Sequence, residues 1–229
     1  MNLSNRYLAP SGLAALALLG SSLAFVLDSY SLLVFTFCAL AAVVGVGLNI
    51  LMGLSGQISF GHIAFYAIGA YISALLLMAG LPLGLALIIA GLGSGLVGAL
   101  LALPALRVTG PYLAMVTIAF AFMVHHGLIE WQSLTGGANG LIGIPMPAFG
   151  GLDGNIGLAL LATALMVAAL AFYRRLQGSG WGRAMRAVKS TEIAARSLGF
   201  NPMQTKPLAF ALSATLTGMA GGLVAPLMM

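Results

Sequence analysis

Long apolar runs separated by short polar breaks fill this chain. Gly12–Leu27, Ser31–Met52, His62–Met78, Leu83–Leu103, Tyr112–Ile129, Ile156–Tyr173 and Pro207–Met229 are apolar almost throughout. Runs of about 20 such residues match the roughly 30 Å of hydrocarbon in a bilayer. The pattern predicts an all-α, polytopic membrane protein, one domain over residues 1–229 with about seven transmembrane helices. The breaks carry turn chemistry at Asp28–Tyr30, at Gly80-Leu81-Pro82 and at Gly110-Pro111, where the proline falls in the first turn of the next helix. Gly12–Leu27 also has the length of a signal-peptide core, but more membrane-like sequence follows directly, so it reads as a span.

One break differs from the rest. Gly53–Ser73 reads GLSGQISFGHIAFYAIGAYIS, a glycine- and serine-rich stretch with Gln57 and His62 after the second run. In a bilayer, irregular backbone persists only where it is buried in protein or lines a wet cavity. Broken helices near the midplane are also where transporters commonly build substrate sites. Two readings stand side by side: a broken helix on a solute pathway, or a short cytoplasmic connection whose glycines serve a turn. His62 likewise reads either as a hydrogen-bond donor in that pathway or as a satisfied packing histidine.

Composition narrows the class. The chain is 61% hydrophobic and 6% charged, where a soluble domain carries roughly a quarter charged residues. The formal charge of +5 is concentrated, with seven of nine basic residues between Arg174 and Lys206. That is a topology signal rather than a nucleic-acid surface. With the N-terminus and Arg6 in the cytoplasm, alternating crossings put Arg107 and a basic loop, 174–206, on the same side. Asp28, Glu130, Asp153 and an external loop, 130–155, then lie outside, as the positive-inside rule prefers. Cys38 is a lone cysteine in an apolar run and reads as a small packing residue. His125-His126 lacks metal-ligand spacing, so no metal site is expected. No GxxxxGK[ST] occurs, so this chain does not bind ATP through a P-loop and needs no cofactor of its own.

Within the basic loop, Ser190 or Thr191 can cap a short helix with Glu192 in its first turn and Gly199 just past its end. Glu192 and Arg196 stand at the (i, i+4) spacing of a charge pair, and Ile193, Ala194, Ser197 and Leu198 share one side. Ala194 and Ala195 would allow close approach of another protein; the alternative is a helix resting on the bilayer surface.

Three stretches in order, GLSGQISFGHIAFYAIGAY, GPYLAMVTIAF followed by WQSLTGGANGL, and GRAMRAVKSTEIAARSLGF, resemble the LivM-type permease family of branched-chain amino-acid ABC importers. With the spans between them they cover most of the chain. The resemblance implies a bacterial inner-membrane permease subunit, not an enzyme. It would work with a second permease, two cytoplasmic ATP-binding subunits and a periplasmic solute-binding protein. By position it implies translocation-region residues Gly53, Ser55, Gly56, Gln57, Ser59, Gly61 and His62. Glu192, Ala194, Ala195 and Gly199 match its ATPase-coupling pattern loosely, and Thr135, Gly136, Gly137, Asn139 and Gly140 match its external loop. Phe122 and His125 stand where family members often carry an acidic residue and an arginine. The family continues with further spans beyond Gly221-Gly222, so a shortened gene, a fragment or a degraded copy is an expectation. A urea or short-amide permease, an ATP-independent secondary transporter and a nonfunctional permease fragment remain as alternatives; no carboxylate for proton coupling falls inside a predicted span.

Overall fold

A computed structural model describes residues 10–106, 110–147, 149 and 151–228. Every expected apolar run forms a helix: α1 (Pro10–Val26), α2 (Ser29–Leu48), α3 (His62–Met78), α4 (Leu83–Ala105), α5 (Pro111–Glu130), α7 (Gly154–Gly178) and α10 (Pro202–Val224). A four-residue helix, α6 (Gln132–Thr135), follows α5, and no β-strand occurs among the described residues. Five segments are long and apolar enough to cross a bilayer, while Ser11–Val26 and His62–Met78 are apolar but shorter. Local chemistry sets the ends. Asp28 caps α2 by accepting the Ser31 N–H at 3.4 Å. Its carboxyl is held below the usual carboxylate range by the Ser31 side chain and then the Ser31 backbone. Asn201 accepts the Met203 N–H at 2.9 Å, with Pro202 next to it in the first turn. The last apolar helix therefore starts five residues before Pro207, which it carries inside.

The core is built around α10, whose residues are buried along nearly its whole length. It packs between α3 and α4, and small residues set the spacing. A Cβ on Gly69 of α3 would strike the Gly218 backbone, and one on Gly221 would strike the Tyr66 carbonyl. One on Gly98 of α4 would lie 2.6 Å from Ala214 Cβ and 3.0 Å from Phe210 O. Without a hydrophobic driving force between helices in lipid, such close backbone approach supplies the packing contact. At the other side of the bundle α2 lies along α7, with Ala24, Leu32 and Ala159 buried between α1, α2 and α7.

Charge separates along the bundle. The ends of α7 and α4 and the starts of α5 and α10 share one end with every described Lys and Arg. Asp28, Glu130 and Asp153 sit at the other, where Leu141 and Ile144 pack over Ala74 and Val224. Arg6 and Arg107 lie outside the described residues.

The expectation of a loop over 174–206 is corrected: α7 runs on to Gly178, and α8 (Gly180–Ser190) and α9 (Glu192–Ser197) fill most of what remains. Gly182, Met185 and Val188 recur on the buried side of α8, while Trp181, Arg183 and Arg186 face out. This is an amphipathic helix at the 3.6-residue period, lying across the end of the bundle.

Substitution at the α3–α10 crossing tests this packing. Gly221→Leu should destabilise the detergent-solubilised protein by about 1–3 kcal/mol or prevent assembly. Gly45→Ala, where a Cβ meets nothing within 4 Å, should raise the melting temperature through a gain of about 0.5–1 kcal/mol.

Candidate functional site

The segment between α2 and α3 leaves the α-helical ladder in two steps. First α2 widens into a π turn, Asn49–Leu54, with Ser55 N donating to Ile50 O at 3.2 Å. The Gln57 N–H then donates to Leu51 O at 3.1 Å, and Gly56 takes a left-handed φ of +72°. Residues 55–61 have no regular structure, and α3 starts only at His62.

Its polar side chains turn into the bundle. Ser55, Gln57, Ser59 and His62 are all buried. Gln57 Nε2 donates to Ser55 Oγ. His62 Nε2 lies 2.7 Å from Ser213 Oγ on α10, and that hydroxyl donates to Gly47 O of α2 at 2.6 Å. Ser213 therefore accepts from His62, which fixes the tautomer with its proton on Nε2. On the other side Nδ1 faces Ser59 Oγ at 3.3 Å, and Ser59 accepts the Gly61 N–H at 3.3 Å. The Phe60 N–H donates to Thr117 Oγ1 of α5 at 3.1 Å.

These partners measure how far the segment enters the bundle. Gly47 precedes Gly53 by six residues, and Thr117 follows Pro111 by six. At 1.5 Å per residue Thr117 lies about 9 Å inside the start of α5, and Gly47 lies in the last turn of α2, separated from Gly53 by the π turn. Gly53, by contrast, meets the basic end, where Lys189 Nζ donates to its carbonyl at 2.7 Å. The chain thus turns at the basic end and re-enters the bundle unwound before α3 begins.

The apolar side chains of the segment point the other way. Phe60 and Ile63 are exposed and, with Ala67 of α3 and Ile118, Phe122 and His125 of α5, line a groove of about 330 Å³. Reading the sequence for polar residues missed Phe60, Ile63, Ser213 and Thr117. Phe60 and Ile63 each directly follow a buried polar residue; Ser213, 151 residues from His62, carries no local signal.

The end caps differ from expectation in detail. Thr191 takes the cap position of α9 without a side-chain bond, and the Ser190 hydroxyl turns to Ala187 O at 2.9 Å. Glu192 pairs with Lys206 of α10, not with Arg196, because Arg196 faces outward from α9. Ala195 is buried against its own chain, so it is Ala194, Ile193, Ser197 and Leu198 that form the free side. Gly199 ends α9 with φ +83° as expected, and the Phe200 N–H returns to Ala195 O at 2.9 Å. At the opposite end Thr135 is buried and bonds Leu128 O at 2.5 Å and Trp131 O at 2.8 Å. Gly136, Gly137 and Gly140 all have positive φ, and Asn139 is exposed on this knot of turns. A Cβ on Gly136 would strike Gly140 O, and one on Gly137 would lie 2.9 Å from Gln132 Cγ and 3.2 Å from Ile129 O.

Removing the serine that joins three helices should expose the network energetically. Ser213→Ala leaves His62 Nε2 and Gly47 O without their partner and should cost about 1–3 kcal/mol in detergent unfolding. Combined with Ser59→Ala the loss should be less than the sum, since both hydroxyls serve one imidazole.

A family model described as the permease component of the branched-chain amino acid transport system matches residues 30–228. The high-affinity branched-chain amino acid transport system permease proteins LivM of Salmonella typhimurium and Escherichia coli are each 37% identical over 239 residues. The match covers 93% of this chain and 56% of each relative, so the chain spans little more than half their length. No solved structure matches it.

Proposed function

The chain belongs to the branched-chain amino acid transport permease family, and we propose that it acts as the membrane permease subunit of an ABC importer. In this reading branched-chain amino acids, or a similar small polar solute, move inward past the break between α2 and α3. The observation that carries it is the unwound, re-entrant segment Ser55–Gly61 beside an apolar groove. Every buried polar side chain of the segment already has a partner in its own chain, so the groove offers Phe60, Ile63, Ile118 and Phe122 to an aliphatic side chain. Solute charges would then meet backbone groups and helix ends, as in other broken-helix sites.

A second permease, cytoplasmic ATP-binding subunits and a periplasmic solute-binding protein are the proposed partners. The end carrying α8 and α9 faces the cytoplasm of a bacterial inner membrane, because that end holds every described basic residue. α9 then presents Ile193 and Leu198, 82% and 71% exposed, to the ATPase. Two apolar side chains this exposed beyond the lipid-facing helices fit a protein groove better than water. Closure of the ATPases would move this layer and change which side of the bundle the groove faces.

Purification of the tagged protein from its own membranes tests the assembly. A second permease and ATP-binding subunits should accompany it, and uptake of leucine against urea or an amide by the reconstituted set identifies the solute. Leu198→Asp should weaken ATPase association at least tenfold, about 1.4 kcal/mol, and leave insertion unchanged. Unaltered association would remove α9 from the interface.

A further inference from the structure

Between the basic layer and the re-entrant segment lies a polar cavity of about 110 Å³, lined by Ser55, Gly56 and Gln57 on one side and Lys189, Glu192 and Lys206 on the other. One side chain bridges it directly. Lys189, at the last turn of α8, donates to Gly53 O at 2.7 Å, 136 positions away in sequence. That carbonyl belongs to the end of the π turn, among the acceptors a helix terminus leaves without intrahelical partners. It also sits at the negative end of α2, where a cation is favoured. The lysine stem covers Gly56: a Cβ there would lie 2.7 Å from Lys189 Cγ and 3.3 Å from its Cβ. Lys189 therefore holds both residues that flank the start of the unwound stretch.

We infer that Lys189 is a positioning residue for transport, a strut that delivers movement of the α8–α9 layer to the re-entrant segment. The inference rests on the proposed importer reading. α8 and α9 are separated by Thr191 alone and pack on each other, and Glu192 ties α9 to Lys206 of α10. Force applied at Ile193 and Leu198 reaches Lys189 across the single residue Thr191 and the α8–α9 contact. From Lys189 it passes through a charge-assisted hydrogen bond, roughly twice as strong as a neutral one. It arrives at the end of the π turn, directly before the stretch that has no helical ladder. The other exposed cations of α8, Arg183 and Arg186, are not bonded to the segment; Arg183 bonds Gly178 O within its own neighbourhood at 3.1 Å.

The test uses the complete transporter in proteoliposomes, with Cys38→Ala and a reporter thiol at Ile58→Cys in the unwound stretch. With Lys189 present, ATP and vanadate should change the thiol labelling rate at least fivefold. In the Lys189→Met variant, which keeps the stem and loses the ammonium, that change should vanish. Solute carried per ATP hydrolysed should fall at least tenfold, with subunit association and melting temperature unchanged. Lys189→Arg should recover most of the response. An ATP response that survives in Lys189→Met overturns the strut alone. Loss of uptake that tracks loss of thermal stability also overturns it, leaving Lys189 a structural cap. A complex with Lys189 intact that hydrolyses ATP with no change at the reporter overturns the importer reading, and the strut with it.

Discussion

Peptide that leaves a helix inside a bilayer must find its hydrogen bonds within its own protein, and the structure is arranged around that requirement. The π turn at Asn49–Leu54 starts the exit by shifting the ladder one residue. Ser55, Gln57, Ser59 and His62 then close most of the local account among themselves. What they leave over is met by hydroxyls on two other helices, Thr117 at 3.1 Å and Ser213 at 2.7 Å. Ser213 answers His62 and the Gly47 carbonyl at once, so one side chain on α10 secures the end of α2 and the start of α3. A hydroxyl in a helix interior normally bonds back to its own ladder; here it is spent on a neighbour.

That arrangement explains why α10 is central. For Ser213 to reach both Gly47 and His62, α10 must pass close to α2 and α3 together. A Cβ on Gly47 would lie 2.9 Å from Ser213 O, and the α3 crossing at Gly69, Gly218 and Gly221 is backbone to backbone. On the third side the glycines of α4 make room for α10 side chains: a Cβ on Gly91 would lie 2.6 Å from Met219 Cγ and one on Gly98 2.6 Å from Ala214 Cβ. The many small residues are thus a consequence of the polar network as much as of helix packing in lipid. The buried Ser73 hydroxyl has no hydrogen-bond partner among the described residues, and the side chain serves there as a small packing group against Gly222.

Much of this was legible in the residues. Apolar runs located the seven long helices, because their length is set by hydrocarbon thickness and needs no tertiary knowledge. Gly199 and Glu192 marked α9 through cap chemistry that is local by nature. The misses share a cause. α8 was hidden because its arginines and lysine drew attention to charge, while the period of Gly182, Met185 and Val188 was the structural signal. The Glu192–Arg196 pairing followed from spacing on one helix, and it lost to Lys206, which is nearly buried and has the stronger need of a counter-charge. Ser213 and Thr117 look like ordinary serine and threonine in apolar helices; only the fold brings them to the break.

The short length of α3 follows from the same geometry. Its 17 residues rise about 26 Å, less than the hydrocarbon it is expected to cross. The missing depth is supplied by residues 55–61, which enter from the basic end as unwound chain. Helices on both sides of this stretch are rigid and closely packed, whereas the stretch itself is held by side-chain bonds that can exchange partners. The groove wall formed by Phe60 and Ile63 is part of that same stretch and its first helical turn, so its shape is tied to the position of the layer at the end of the bundle.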